Sequence, residues 1–165
     1  MSWKDLLIEC NRLRIIMEEE IDESEYDEQE YNPVYFAPPL SDSDIQYIEE
    51  LIDSKFPDDY RSMLKAFEHV NDEYIWPVDL LVSGNLDLRE IQKRDGLFKS
   101  FDDLIFFGGA GNGDQFAIAA KGSEMEPGVY IWSHENDSRN LISKSLKDAL
   151  LKIYQTDCNA MLEWC

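Results

Sequence analysis

The sequence predicts an α+β fold: a mostly antiparallel sheet partly covered by helices, in a single domain with an N-terminal helical extension. Three observations predict it. Apolar residues recur at helical spacing before residue 71. Short β-prone runs then follow one another too closely for long crossovers, which favours an antiparallel meander. A last helical stripe closes the chain, and helices, then strands, then a helix is the α+β order.

In chain order, Trp3, Leu6, Leu7, Cys10, Leu13 and Met17 define an amphipathic helix over 3–17. From Glu18 to Glu30 come nine acids and no base, read either as a frayed continuation of that helix or as a solvated loop. Pro33, Pro38 and Pro39 make the following segment an extended linker, so residues 1–39 form the N-terminal part and 40–165 the main domain. Ser41 and Asp44 have the spacing of a capping box, and Ile45, Ile48, Leu51 and Ile52 give that helix its apolar face. Pro57 suits the first turn of the next helix, whose stripe is Tyr60, Met63, Leu64, Phe67 and Val70. Val78–Val82, Leu104–Phe107, Gln115–Ala120 and Gly128–Trp132 read as strands, with a short helix over 87–93 between the first two. Leu146, Ala149, Leu150 and Ile153 mark the closing helix.

Charge is the compositional outlier. Fifteen bases against 35 acids give −20 over 165 residues. Setting the 18–30 run aside still leaves 26 acids against 15 bases, so the acidity belongs to the whole domain. Such a chain is repelled by nucleic acid and by anionic membranes, and attracted to a basic protein. Solubility alone also accounts for excess acid. Cys10, Cys158 and Cys165 are odd in number and scattered, which suggests neither a disulfide framework nor a zinc site. The chain start lacks the features of a secretory signal, and no segment reaches the length of a membrane span, so the cytoplasm is the expected location.

The segment from Gly108 to Asp114 is rich in glycine and follows a strand. Phosphate-binding loops of that kind lead into a helix, whose N-terminus binds the anion. Here Gln115–Ala120 reads as a strand, so Gly108, Gly109, Gly111 and Gly113 are better understood as a tight connection between strands. Trp132 to Asp137 is the second cluster. His134 beside Glu135 has the elements of an acid–base pair, but no nucleophile or ligand spacing accompanies it. No cofactor or metal site is expected.

Three motifs in order carry a resemblance: Phe56-Pro57-Asp58-Asp59-Tyr60-Arg61, Phe107 through Asp114, and Gly128 through Glu135. They resemble the Leu-Pro helix opening, the glycine-rich hairpin ending in an acid, and the Trp-containing strand with a polar turn of the SUKH superfamily. That superfamily includes bacterial immunity proteins and fungal cell-wall-synthesis regulators. The resemblance runs from about Leu40 to Tyr154. Many members carry Asn-Gly-Gly where this chain has Asn71-Asp72-Glu73, so only Asn71 is carried over. The resemblance implies a sheet partly covered by helices and no known catalytic centre. For bacterial members it implies neutralisation of a toxin, often a nuclease, by direct binding in the cytoplasm.

The leading expectation is therefore a non-enzymatic immunity protein for a basic toxin. Its candidate contact groups are Asp114, Trp132, His134, Glu135, Asn136 and Asn71, with Glu18, Glu19, Glu20, Asp22 and Glu23 as an anionic arm. A regulatory scaffold with several partners is the alternative, and an enzyme using the glycine loop with His134 and Glu135 is the third reading.

Overall fold

A capping box opens the first helix: the Ser2 hydroxyl accepts from Asp5 N–H, and the Asp5 carboxylate accepts from Ser2 N–H. The computed structural model describes residues 1–27, 34–72 and 74–156. Helix α1 (Trp3–Glu18) buries Trp3, Leu6, Leu7 and Cys10 in the same apolar core as the rest of the protein. It packs mainly on the closing helix α5 (Leu146–Tyr154), so the N-terminal helix is part of the domain's packing. Burial pushes the Cys10 thiol up to about 12, with Glu9 and Asp72 adding to the effect, which makes it an inert core group.

Helix α2 (Asp42–Leu51) starts on the expected Ser41–Asp44 capping box. Pro57 stands at the N-cap of α3 (Asp58–Leu64), one position before the expected first turn. That helix is also shorter than its apolar stripe: Phe67 and Val70 are fully buried but lie beyond its end. Glu49, only 3% exposed, fixes the α2–α3 junction by accepting from Phe56 N–H at 2.9 Å, Arg61 at 2.7 Å and Lys55 at 3.2 Å. Burial alone would raise the Glu49 pKa, but these three donors outweigh it and lower it.

The largest departure from the sequence reading is residues 78–95. Val78–Val82 is not a strand, and no separate helix spans 87–93; both lie in one long helix, α4 (Val78–Asp95), closed by left-handed Gly96. Its buried positions are Leu81, Asn85 and Arg89, spaced four apart, so two of three core positions are polar and mask the helical period. Those polar residues seal the sheet edge. Asn85 donates to Phe106 C=O at 2.7 Å and accepts from Phe106 N–H at 2.9 Å. Arg89 donates to Leu104 C=O, to Ser54 Oγ and to Ile52 C=O.

The sheet is an antiparallel meander in sequence order, β1 (Leu104–Gly109), β2 (Gln115–Ala119), β3 (Val129–Trp132) and β4 (Arg139–Ser143). β4 has no counterpart in the sequence reading; its Arg-Asn-Leu-Ile-Ser run carries only one buried residue, as an edge strand does. One face of β1–β3 points Ile105, Phe107, Phe116, Ile118, Val129 and Ile131 into the main core under α1, α2, α3 and α5. The other points Leu104, Phe106, Ala117, Tyr130 and Trp132 into a smaller cluster with Phe98, Phe101 and Leu88. Burial on both faces explains why these strands read as continuous apolar runs.

Candidate protein-interaction surface

The β1–β2 hairpin and the β3–β4 turn lie at the same end of the sheet, and Asp114 ties them together. Its carboxylate accepts from His134 N–H at 3.1 Å, His134 Nδ1 at 2.8 Å and Asn112 Nδ2 at 3.2 Å. Asp114 N–H in turn donates to Asn112 Oδ1 at 3.0 Å. With Asp114 2% exposed, the acid at the end of the glycine run organises two loops from beneath.

Two of the glycines have specific reasons to be there. A Cβ on Gly108 would lie 1.8 Å from the Tyr74 carbonyl oxygen, because the 74–76 segment closes over β1 and Trp76 N–H bonds to Phe107 C=O at 2.8 Å. Gly113 has φ +102°, and a side chain there would meet the His134 ring at 2.9 Å. A strand, and not a helix, follows the loop, as expected.

Trp132 is 3% exposed and surrounded edge-on by Phe98, Phe101 and Phe106, with centroids 5.2, 5.2 and 5.7 Å away. Its indole N–H donates to Asp137 Oδ1 at 2.8 Å. Trp132 and Asp114 thus support the turn from inside, and His134, Glu135 and Asn136 form its exposed crest. Asp137 belongs to the second sequence cluster but was not among its candidate contact groups. It sits at φ +57° and also accepts from Lys99 N–H at 2.8 Å and Arg139 at 3.1 Å. Burial opposes its ionisation, but these donors prevail and lower its pKa. The signal available was an acid in the position that commonly closes a polar turn.

Asn71 is exposed, but its side chain is committed: Oδ1 accepts from Tyr35 N–H at 2.6 Å, beside the Phe36–Val70 bridge that fastens the incoming linker. The anionic arm leaves α1 at Glu18, with Glu19 as C-cap and Glu20 left-handed at φ +52°. Asp22 then holds a short turn by accepting from Ser24 N–H and Oγ at 2.9 and 2.5 Å. Glu19, Glu20, Asp22 and Glu23 are exposed, and residues 28–30 of the acidic run lie outside the described residues. The structure thus brings Asp114, Trp132, His134, Glu135 and Asn136 together, and leaves the arm on a different element. Among the described residues no three metal-ligating side chains converge, and no helix is long and apolar enough to cross a membrane.

The chain is thus a meander sealed at one edge by a helix, with an acid-pinned glycine hairpin and an exposed polar turn at one end of the sheet. The sequence model of the family described as SUKH_6, SMI1-KNR4 cell-wall, matches residues 42–150. The chain belongs to this family, and so to the SUKH superfamily, whose members are generally non-catalytic immunity or regulatory domains. No curated protein matches the chain. The matched span covers α2 through most of α5 and leaves α1 and the arm outside it.

Proposed function

We propose that this chain is an immunity protein that binds a basic toxin and neutralises it by covering or distorting its active site. The observation that carries the reading is charge on a family scaffold built for protein contacts. A net −20 is joined to a SUKH domain, with acids exposed along the arm. A nuclease is the toxin class that matches best, since a cleft made for a polyanion is basic. The test is co-expression with the product of the adjacent gene. Growth is restored if that product is toxic and this chain neutralises it; a harmless neighbour, or unrelieved toxicity, overturns the proposal.

A second reading is favoured by the family's cell-wall description: a regulatory scaffold with several partners. A pull-down separates the two. One stoichiometric complex supports immunity, and several substoichiometric partners support the scaffold.

A further inference from the structure

Asn112 stands in the loop of the β1–β2 hairpin and is the one asparagine of the chain followed by glycine. An asparagine amide is an electrophile toward the main-chain nitrogen of the next residue: attack on Cγ closes a succinimide ring and expels ammonia. Glycine in the second position leaves that nitrogen unobstructed. Asn112 and Gly113 are both exposed, so water reaches the loop.

The fold adds its own conditions to this pattern. Asn112 Oδ1 accepts from Asp114 N–H at 3.0 Å, an Asx turn that folds the side chain back over its own main chain toward Gly113 N. The same N–H stabilises the negative charge that develops on Oδ1 as Cγ is attacked. Gly113 N–H, whose nitrogen is the nucleophile, makes no hydrogen bond among the described residues. Asn136 provides the internal comparison. It is exposed and makes the same turn, with Oδ1 accepting from Ser138 N–H at 2.8 Å. The nitrogen that follows it, however, is that of Asp137, which already donates to Ser133 C=O at 3.0 Å. Asp137 also carries a side chain, held by Trp132, Lys99 and Arg139.

We infer that Asn112 is a site of spontaneous self-modification, and that its conversion unpins the glycine hairpin from the 133–137 turn. The Gly113 N–Asn112 Cγ bond forms and the Cγ–Nδ2 bond breaks. The Gly113 proton leaves with the amide nitrogen as ammonia. One water then opens the succinimide at either carbonyl, giving an aspartyl or an isoaspartyl residue at 112.

Either product alters the support of the candidate contact surface. The Nδ2 donor to Asp114 is lost, and a carboxylate takes its place beside the Asp114 carboxylate, which is 2% exposed. Two such charges side by side repel. The isoaspartyl form also lengthens the main chain inside the loop that Ala110 N–H closes on Asp114 C=O at 3.0 Å. Asp114 holds His134 through its N–H and Nδ1, so displacing Asp114 releases the crest. The inference concerns this chain alone and does not depend on what its partner is.

The experiment holds the full chain at mildly alkaline pH, folded and in urea, and follows the peptides containing residues 112 and 136 by mass spectrometry. Isoaspartate is counted by enzymatic methylation. In the folded chain deamidation at 112 is expected to run at least about tenfold faster than at 136, and within about threefold of its rate in urea. It should quicken as pH rises, because the Gly113 nitrogen attacks once deprotonated. The modified chain, separated by anion exchange through its extra charge, and Asn112→Asp should both exchange amides at 133–137 faster than wild type. The central strands should keep their protection. A folded-state rate slower than that range, or similar rates at 112 and 136, overturns the site. Unaltered exchange at 133–137 in the modified chain overturns the release of the crest. Neither result touches the basic-partner reading, which the co-expression test decides.

Discussion

Asn85 is the residue whose removal tests the account of the fold most directly. It is fully buried, and its amide satisfies both main-chain groups of Phe106 on the side of edge strand β1 that faces away from β2. In Asn85→Ala those two groups stay buried without partners, since α4 still covers the edge. Each orphaned group costs about 1–3 kcal/mol, so the loss is about 2–6 kcal/mol. In a domain of this size that lowers Tm by roughly 5–20 °C. Asn85→Asp is the sharper variant. It keeps an acceptor for Phe106 N–H but sets a carboxylate oxygen against Phe106 C=O, where an amide nitrogen donates at 2.7 Å. At neutral pH it is therefore expected to be worse than alanine, and to recover in part in acid, where the protonated carboxyl donates. Thermal and urea unfolding followed by circular dichroism measure both. An alanine variant costing less than about 1 kcal/mol, or an aspartate as stable as asparagine at neutral pH, refutes the edge-sealing role.

Gly108→Ala is expected to unfold at markedly lower temperature, because its Cβ meets the Tyr74 carbonyl and forces the 74–76 segment off β1. Gly111→Ala meets no atom and costs only about 1–2 kcal/mol for its left-handed backbone, so the pair separates contact from conformation by thermal unfolding. Asp114→Asn is expected to speed amide hydrogen exchange at 111–114 and 133–137 while the central strands keep their protection. Two half-buried acids should show opposite pH dependence. Asp72 has its pKa raised by burial, against donors that include Tyr154 and the Tyr74 and Ile75 N–H groups; the folded form thus takes up its proton first. Wild type should gain stability relative to Asp72→Asn as pH falls from neutral through that raised pKa toward the ordinary carboxylate value. Asp137 has its pKa lowered, so its contribution is present above the ordinary carboxylate range, and the advantage of wild type over Asp137→Asn is lost as pH falls through the depressed pKa. Urea titrations across that range read both slopes.

What the sequence made legible follows from how regular its local signals are. The capping box at Ser41, the stripe of α1, three of the four strands and α5 are each announced by residues whose own chemistry demands them. Residues 78–95 were not legible because Asn85 and Arg89 occupy helix positions that normally hold apolar side chains. They are there to bond a strand that lies elsewhere in the sequence. β4 escaped for the converse reason: an edge strand with one buried residue carries little β signal. At the candidate site the grouping of Asp114 with the 132–136 turn was legible from motif order. The division of labour was not: burial of Asp114 and Trp132 depends on the hairpin folding back on the turn, a long-range contact that no local pattern encodes.

A chain carrying −20 must hold its acids in ways that do not undo the fold, since like charges repel in the compact state. Asp5, Asp44 and Asp148 lie in the first turns of helices, where the helix dipole favours negative charge. Asp42, Glu49, Asp58 and Asp137 are paired with lysine or arginine. Among the described residues Glu19 and Glu20 on the arm are exposed and make no ion pair, so a partner meets free acid there. Added salt then acts in two directions. Screening relieves repulsion within the arm, so Tm should rise modestly with salt, while association with a basic partner slows. The two slopes are measurable separately, by scanning calorimetry and by stopped-flow mixing. A protein whose acids served solubility alone would show the first slope without the second.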